Sequence, residues 1–137
     1  MRKALTVAMA AAAIFGGAAG ISSAQDEEAT SSGFRCEKYG YVGYFKHPCS
    51  KIRSTNWWNT GRLESFGIAP DRTIWHAWPG SGGWREMPHN GRADEVVKAI
   101  AHSDRRTRTV VVRISNGDAW QSTDPGNGHW GPWRRYP

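Results

Sequence analysis

Short runs of alternating apolar and polar residues fill the chain after residue 60, with turn-forming residues between the runs. Val110, Val112 and Ile114, for example, lie two positions apart and would share one face of a strand. Gly, Pro, Asn and Asp separate the runs, and this arrangement predicts strands joined by tight turns. The predicted strands cover residues 63–69, 73–78, 84–87, 108–114, 118–122 and 133–136.

An internal repeat appears when positions are compared at an offset of 45 residues, at which Trp75 corresponds to Trp120. Each copy has an apolar strand, a turn, a strand with Trp, a Gly-rich turn and a Trp-led strand. A period near 45 is typical of β-propeller blades, each of which is a four-stranded antiparallel sheet. The sequence therefore predicts an all-β fold with two blade-like repeats, residues 61–91 and 92–137. They would form either a compact sandwich or part of an oligomeric propeller, with the recurring Trp75 and Trp120 in the core.

The start of the second copy fits two kinds of secondary structure. The apolar residues Ala93, Val96, Val97 and Ile100 follow helical spacing, whereas the same residues also suit a strand. The repeat favours the strand.

The first residues have the features of a secretory signal peptide. Arg2 and Lys3 precede an apolar, Ala-rich stretch that ends in the small residues 22–24. We expect cleavage after Ala24, a secreted product and no membrane association after cleavage. Residues 25–32 are polar and carry three acids, which predicts a flexible linker.

The two cysteines, Cys36 and Cys49, lie in the part that would be exported. An even number of cysteines in an exported chain predicts a disulfide, whereas their spacing does not suit a metal site. We therefore expect residues 33–60 to be a disulfide-stapled N-terminal segment that forms one domain with residues 61–137.

Composition and charge narrow the functional classes. The chain has 8 Trp and 16 Gly, and residues 33–137 carry 16 Lys and Arg against 9 Asp and Glu. Basic charge suits an anionic polymer, and exposed Trp could stack on bases. Charge alone does not separate nucleic acid from an anionic glycan, and a basic surface also keeps a small exported domain soluble. We expect nucleic acid not to be the partner.

Residues 71–78, Asp-Arg-Thr-Ile-Trp-His-Ala-Trp, followed by a Gly-rich turn and Trp84, carry a family resemblance. They resemble the D-x-x-x-W-H-x-W…G-W blade signature of PLL-like bacterial β-propeller lectins, which bind fucose and related sugars. The second copy departs from it, with Gln121 in place of His76 and Thr123 in place of Trp78. The resemblance covers residues 61–137, and a full propeller of this family has more blades than this chain supplies.

The resemblance and the residue chemistry together predict a sugar site. An indole can cover the apolar face of a sugar, while His and Arg side chains hydrogen-bond its hydroxyls. We expect a single ligand-binding patch, because His76 and Trp78 have no equivalents in the second copy. The predicted patch consists of Arg72, His76, Trp78, Trp84 and Arg85, brought together by the turn at residues 79–83.

The sequence predicts a non-catalytic, lectin-like recognition module that binds a carbohydrate or cell-surface glycan. No catalytic pair is implied by any spacing, and no nucleophile elbow, HExxH motif or phosphate-cradling loop is present. We expect no catalytic residue, cofactor or metal. The alternatives are a small nuclease-like secreted hydrolase and a Trp-rich domain that binds or inhibits another protein. Two blades leave open edges, so we also expect a homo-oligomer.

Overall fold

The computed structural model describes residues 29–30 and 32–137. The described residues form antiparallel strands and contain no α-helix, which confirms the predicted all-β fold. The predicted signal peptide, residues 1–24, lies outside the described residues, as does most of the predicted linker. The elements are β1 (Ala29–Thr30), β2 (Gly33–Lys38), β3 (Tyr41–Phe45), a 3-10 turn (Cys49–Lys51), β4 (Arg53–Trp57), β5 (Arg62–Ile68), β6 (Ile74–Ala77), β7 (Arg85–Glu86), β8 (Glu95–Ala101), β9 (Arg108–Arg113), β10 (Ala119–Asp124) and β11 (Arg134–Tyr136).

Two four-stranded antiparallel sheets follow one another along the chain, as the repeat predicts. The first sheet has the strand order β4-β5-β6-β7 and the second the order β11-β10-β9-β8, so each strand pairs with the next in sequence. Trp75 and Trp120, which the repeat aligns, lie on β6 and β10, the third strands of their sheets. The internal repeat therefore corresponds to two sheets of the same topology.

The two sheets bury their facing surfaces against each other within one chain. Phe66 and Ile74 from the first sheet join Val110 and Val112 from the second in a single hydrophobic core. These residues lie on the inner faces of their strands, and on β5 and β9 the residues between them are buried as well, so both faces of these two central strands are covered. The chain thus has the compact-sandwich form of the prediction, while oligomerisation stays a prediction.

A β-bulge explains the mixed spacing in β8. The pairing with β9 shifts between Val96 and Lys98, so Val97 is the extra residue. Val96 pairs with Val112 before the bulge, and Ala99 pairs with Val110 after it. The bulge therefore keeps Val96 and Ala99 on the same inner face, although they are three positions apart in the sequence. The strand prediction is confirmed, and the apparent helical spacing is a consequence of the extra residue.

Residues 33–51 of the predicted N-terminal segment form a hairpin and a 3-10 turn that cover the outer face of the first sheet, whereas residues 53–57 are β4, so this sheet begins before the predicted start of the repeat at residue 61. Strands β2 and β3 pair with each other, and the predicted disulfide joins Cys36 to Cys49. Phe45, at the end of β3, is buried and packs directly over Gly67 of β5. The backbone N–H of Lys46 donates to the carbonyl of Ile68, which fixes the hairpin to the sheet.

The prediction of Trp75 as a core residue is wrong. On β6 it lies between Ile74 and His76, which are both buried, while Trp75 itself is half-buried. Because successive side chains of a strand point to opposite faces, Trp75 turns towards the hairpin side. The buried indoles are instead Trp57 and Trp130, and the half-buried Trp120 packs against the edge of the core.

Gly67→Ala should destabilise the protein, because a Cβ at this position would lie 2.6 Å from Cε1 of Phe45. Overpacking of this kind costs about 1–3 kcal/mol of the free energy of unfolding. Urea denaturation of the purified protein measures the change. Adding Phe45→Leu to the Gly67→Ala variant should recover part of the loss, since the smaller side chain makes room. A Gly67→Ala variant as stable as the parent would contradict this packing.

Candidate functional site

A cavity of about 370 Å³ opens at one end of the interface between the two sheets. We call it the His76 cavity. Residues from both sheets and from the β4–β5, β6–β7 and β10–β11 connections line it, so it exists because the sheets pack face to face. Its lining consists of Trp57, Gly61, Arg62, Leu63, Glu64, His76, Trp78, Pro79, Arg108, Gly128 and Trp130.

Glu64 is the hydrogen-bonding centre of this cavity. Its Oε1 accepts hydrogen bonds from Nε1 of Trp57 at 2.9 Å and from Nη1 of Arg108 at 2.8 Å. Its Oε2 accepts one from Nδ1 of His76 at 2.7 Å. The side chain of Glu64 is 3% exposed, and a buried carboxylate is tolerated when it is paired and hydrogen-bonded in this way. Glu64 therefore holds two walls of the cavity and the imidazole in fixed positions.

Arg108 connects the two sheets at the back of the cavity. One end of its guanidinium pairs with Glu64 on the first sheet, and the other end pairs with Asp124 on the second. The guanidinium carbon lies 5.3 Å from the ring centre of Trp57 and 5.1 Å from that of Trp130. These are cation–π distances, which are worth most where the cation is shielded from water. The buried cation is thus paired on both sides and stacked between two indoles.

Asp124 fixes the turn at the mouth of the cavity. It lies directly opposite Arg108 in the β9–β10 pairing, and it is fully buried. Its Oδ1 accepts hydrogen bonds from the backbone N–H groups of Gly126, Asn127 and Gly128. Burial by itself would raise the pKa of Asp124, but the hydrogen bonds from Arg108 and the backbone outweigh it and lower the pKa. The carboxylate is therefore held in its charged form.

His76 presents one nitrogen to the cavity. A carboxylate oxygen has no proton to give, so the proton of the hydrogen bond to Glu64 belongs to Nδ1 of the imidazole. In the neutral ring Nε2 is then an acceptor, and no described residue is hydrogen-bonded to it. The ring of Trp78 lies 5.0 Å from the imidazole, centre to centre. A hydroxyl donor can therefore be bound beside a flat apolar face.

Two indole N–H groups of the cavity are also left for a ligand. Trp57 donates its N–H to Glu64, but those of Trp78 and Trp130 have no acceptor among the described residues. Neither of these two nitrogens is fully enclosed, because Trp133 is the one described residue with a buried side-chain polar atom that lacks a partner. The cavity is thus lined by one imidazole and two indoles that each have a ring nitrogen without a partner among the described residues.

The structure brings together two of the five residues predicted as a ligand site. His76 and Trp78 both line the His76 cavity, but the other three lie elsewhere. Arg72 forms an ion pair with Asp94 near the other end of the sheet interface. Arg85 donates from Nε to the carbonyl of Ser81 inside the 79–83 turn.

Trp84 lies on the opposite face of the first sheet from the cavity. Its ring meets Phe45 edge to face at 4.6 Å, and its N–H donates to the carbonyl of Tyr41. The predicted single patch is thus incorrect, because the turn carries Trp84 to the hairpin side while β6 directs His76 inward. The binding role of each residue stays a prediction.

Two of the cavity residues that the sequence analysis missed, Glu64 and Arg108, are charged residues on buried strand faces. Glu64 lies two positions before Phe66 on β5, and Arg108 two positions before Val110 on β9. Each therefore shares the face of a buried apolar residue, which is an unusual place for a charge. The two-residue spacing from Phe66 and Val110 was the sequence signal that could have placed Glu64 and Arg108 in the interior. Their opposite charges indicate that they could pair there.

The described residues contain no group of three or more His, Cys, Asp or Glu side chains that could hold a metal ion. Within the same residues, no helix is long and apolar enough to cross a membrane.

Comparisons with protein-family models, with curated proteins and with solved structures find no match to this chain.

Asp124→Asn should destabilise the fold strongly at neutral pH, because it leaves the buried Arg108 without one of its two anions. Breaking a buried pair in this way costs about 3–5 kcal/mol. The pKa of Asp124 is lowered in the folded state, so its charge stabilises the protein above the unfolded pKa of about 4. This contribution is lost as the pH falls from there towards the folded pKa.

Urea unfolding of the parent and the variant, from pH 7 down to pH 2, measures both effects. The difference between the two proteins should shrink at the acid end. Asp118→Asn is the matched control, because Asp118 pairs with Arg135 at the exposed surface and should contribute less than about 1 kcal/mol. The role assigned to Asp124 would be contradicted if Asp124→Asn and Asp118→Asn lost the same free energy of unfolding. It would also be contradicted if the difference between the parent and Asp124→Asn did not change with pH.

Proposed function

We propose that this protein is a secreted, non-catalytic recognition module that binds a carbohydrate in the His76 cavity. The observation that carries the proposal is the pairing of Trp78 with the oriented imidazole of His76. A sugar has flat C–H faces and a rim of hydroxyls, so it needs an aromatic surface and polar groups of fixed direction side by side. Both are present here, 5.0 Å apart.

The polar groups are preorganised for hydroxyls. Nε2 of His76 accepts from a hydroxyl, while the indole N–H of Trp78 and of Trp130 can donate to one. The hydrogen bond to Glu64 fixes the orientation of the imidazole before any ligand arrives, which reduces the entropy lost on binding. Arg62, an exposed residue at the cavity, has no ion-pair partner among the described residues and adds a further donor.

The size of the cavity suits a small ligand. Its volume of about 370 Å³ lies at the lower end of the range of small-molecule pockets, which is about 300–1,000 Å³. The partner would then be one sugar residue, either free or at the end of a glycan chain.

The resemblance to PLL-like lectins supports the same proposal. The His and the second Trp of the D-x-x-x-W-H-x-W signature are His76 and Trp78, and these two residues line the cavity. The disulfide and the signal-peptide features of the N-terminus favour an extracellular location. A homo-oligomer would increase the number of sugar sites per particle and hence the avidity for a glycan surface.

Trp78→Ala should weaken carbohydrate binding by roughly 1–3 kcal/mol, by analogy with bases stacked on aromatic side chains, and leave the fold intact. The half-buried position of Trp78 at the cavity is the reason for the intact fold. A glycan array identifies the sugar, and calorimetric titration of that sugar into each variant measures the binding. Thermal unfolding checks the fold.

Trp84→Ala is the matched control, because Trp84 is the same residue type on the opposite face of the sheet and should not affect sugar binding. Trp57→Ala should behave differently from both, since Trp57 is 1% exposed and its loss should cost about 3–5 kcal/mol of stability. If Trp84→Ala abolished binding while Trp78→Ala did not, the site would lie on the hairpin side and the proposal would be wrong.

A second candidate function, a small hydrolase of the nuclease type, is favoured by one observation. A carboxylate that accepts from Nδ1 orients the imidazole so that Nε2 can take a proton from a substrate hydroxyl or a water molecule. General-base catalysis typically contributes 10²–10⁴-fold in rate. The hydrogen bond between Glu64 and His76 has this arrangement, and it faces a cavity.

Cleavage of a fluorogenic single-stranded RNA by the purified protein tests this candidate. A hydrolase should lose about 10²–10⁴-fold in rate in His76→Asn, while His129→Asn, at an exposed position, should keep the parent rate. If the parent and His76→Asn both stay at the blank rate, the nuclease is excluded and sugar recognition is retained.

A further inference from the structure

A second and larger cavity, of about 730 Å³, opens at the other end of the sheet interface. We call it the Arg92 cavity. Along β6 it is lined by Ile74 rather than His76, and along β9 by Val112 rather than Arg108. The sandwich therefore has an opening at each end of its core, and the sugar-binding proposal uses one of them.

The floor of the Arg92 cavity is aromatic. Trp120 of β10 and Trp133, which precedes β11, both line it and pack against the hydrophobic core. The N–H of Trp120 has no acceptor among the described residues, and that of Trp133 is enclosed against Gly91 without one. Two half-buried indoles at an open cavity provide apolar surface on which a flat ring can stack.

The rim of the Arg92 cavity is cationic. Arg72 is held by Asp94, with Nε–Oδ1 and Nη2–Oδ2 distances of 2.9 and 3.1 Å, and its side chain is still 41% exposed. Arg92 is held by Asn90, because Nη1 donates to both the backbone and the side-chain oxygen of that residue. Exposed His89 completes the rim.

The two guanidiniums keep donors for a ligand. Each guanidinium has five N–H donors, of which Arg72 uses two in its bonds to Asp94, and those of Arg92 at Nη2 and Nε are unused. Glu86 lies 4.0 Å from Nη1 of Arg92, on the already occupied side. No carboxylate belongs to the described residues that line the cavity. Fixed, exposed guanidiniums without a lining carboxylate suit a carboxylate or phosphate ligand.

We propose that the Arg92 cavity is a second ligand site, which binds a small ring compound that carries an anionic group. The ring stacks on Trp120 and Trp133, and the carboxylate or phosphate accepts hydrogen bonds from Arg72 and Arg92. An acidic sugar and a nucleotide share this chemistry. The site is distinct from the sugar site proposed above, because the two cavities share no lining residue.

Indole N–H signals in ¹⁵N–¹H NMR spectra of the folded protein test this proposal. The 8 Trp residues should give eight indole N–H signals, and single Trp→Phe variants assign them. The protein is titrated with D-glucuronate and with adenosine 5′-monophosphate, and separately with their neutral counterparts glucose and adenosine. We expect saturable shifts of the Trp120 and Trp133 signals with at least one anion, weaker binding at high salt, and weaker or no shifts with the neutral compounds.

A pair of arginine variants locates the anionic group. Arg92→Gln should raise the Kd of the anion about tenfold, because a charge-assisted hydrogen bond is lost. Arg62→Gln removes an exposed arginine from the His76 cavity and should leave that Kd unchanged. Each variant is accepted only if its remaining indole signals coincide with those of the parent. Binding of D-glucuronate would identify the ring as a sugar, and binding of adenosine 5′-monophosphate would identify it as a base.

Three outcomes would overturn the proposal. The first is the absence of a saturable shift up to about 20 mM of either anion. The second is a neutral compound that shifts Trp120 and Trp133 as strongly as the anion does. The third is a shift of the Trp78 and Trp130 signals, with the Trp120 and Trp133 signals unchanged. Loss of sugar binding in Trp78→Ala with unchanged anion binding would separate the two sites from each other.

Discussion

The buried guanidinium of Arg108 is the constraint on which the interior of this protein depends. Moving such a cation out of water costs several kcal/mol unless anions and hydrogen bonds compensate for it. Glu64 and Asp124 compensate for it from opposite sheets, and each of these carboxylates then requires its own donors. Glu64 takes them from Trp57 and His76, and Asp124 takes them from a turn of backbone. One charge thus sets the relative position of the sheets and the walls of a cavity.

The fold could be predicted from the sequence because its signals are local. Alternation and turn residues depend on neighbours along the chain, and the repeat is found by comparing the chain with itself at an offset of 45 residues. They predict two successive antiparallel sheets and the strand β8, but they miss β4. The site depends on which strand face meets the other sheet, and no local pattern states this. Trp75 shows the difference, since its recurrence as Trp120 reports an equivalent strand position and not its burial. Glu64 was predictable in principle, because it shares the inner face of β5 with Phe66.

The distribution of large side chains explains why ligand-sized space remains only towards the ends of the sheet interface. The ring of Phe45 occupies the room that the missing side chain of Gly67 leaves, so the outer face of the first sheet is covered there. The middle of the sheet interface is filled by Phe66 and Val110, both fully buried. Openings are left where the sheets end, and the two openings are lined by different residues. The buried ion pair of Glu64 and Arg108 lines the His76 cavity, whereas Arg72 and Arg92 line the Arg92 cavity without a carboxylate among its described lining residues.

The outer strands of the two sheets limit how copies of the chain could associate. An exposed, regular edge strand is a template for another strand, whereas short or bulged edges resist such pairing. β7 has two residues and β11 has three, and β8 is interrupted by its bulge at Val97. On β4, polar and exposed side chains at Arg53, Ser54 and Asn56 add a further barrier. Edge-to-edge pairing through the two four-stranded sheets is therefore disfavoured, so these sheets would associate between copies by stacking flat surfaces, as neighbouring propeller blades do.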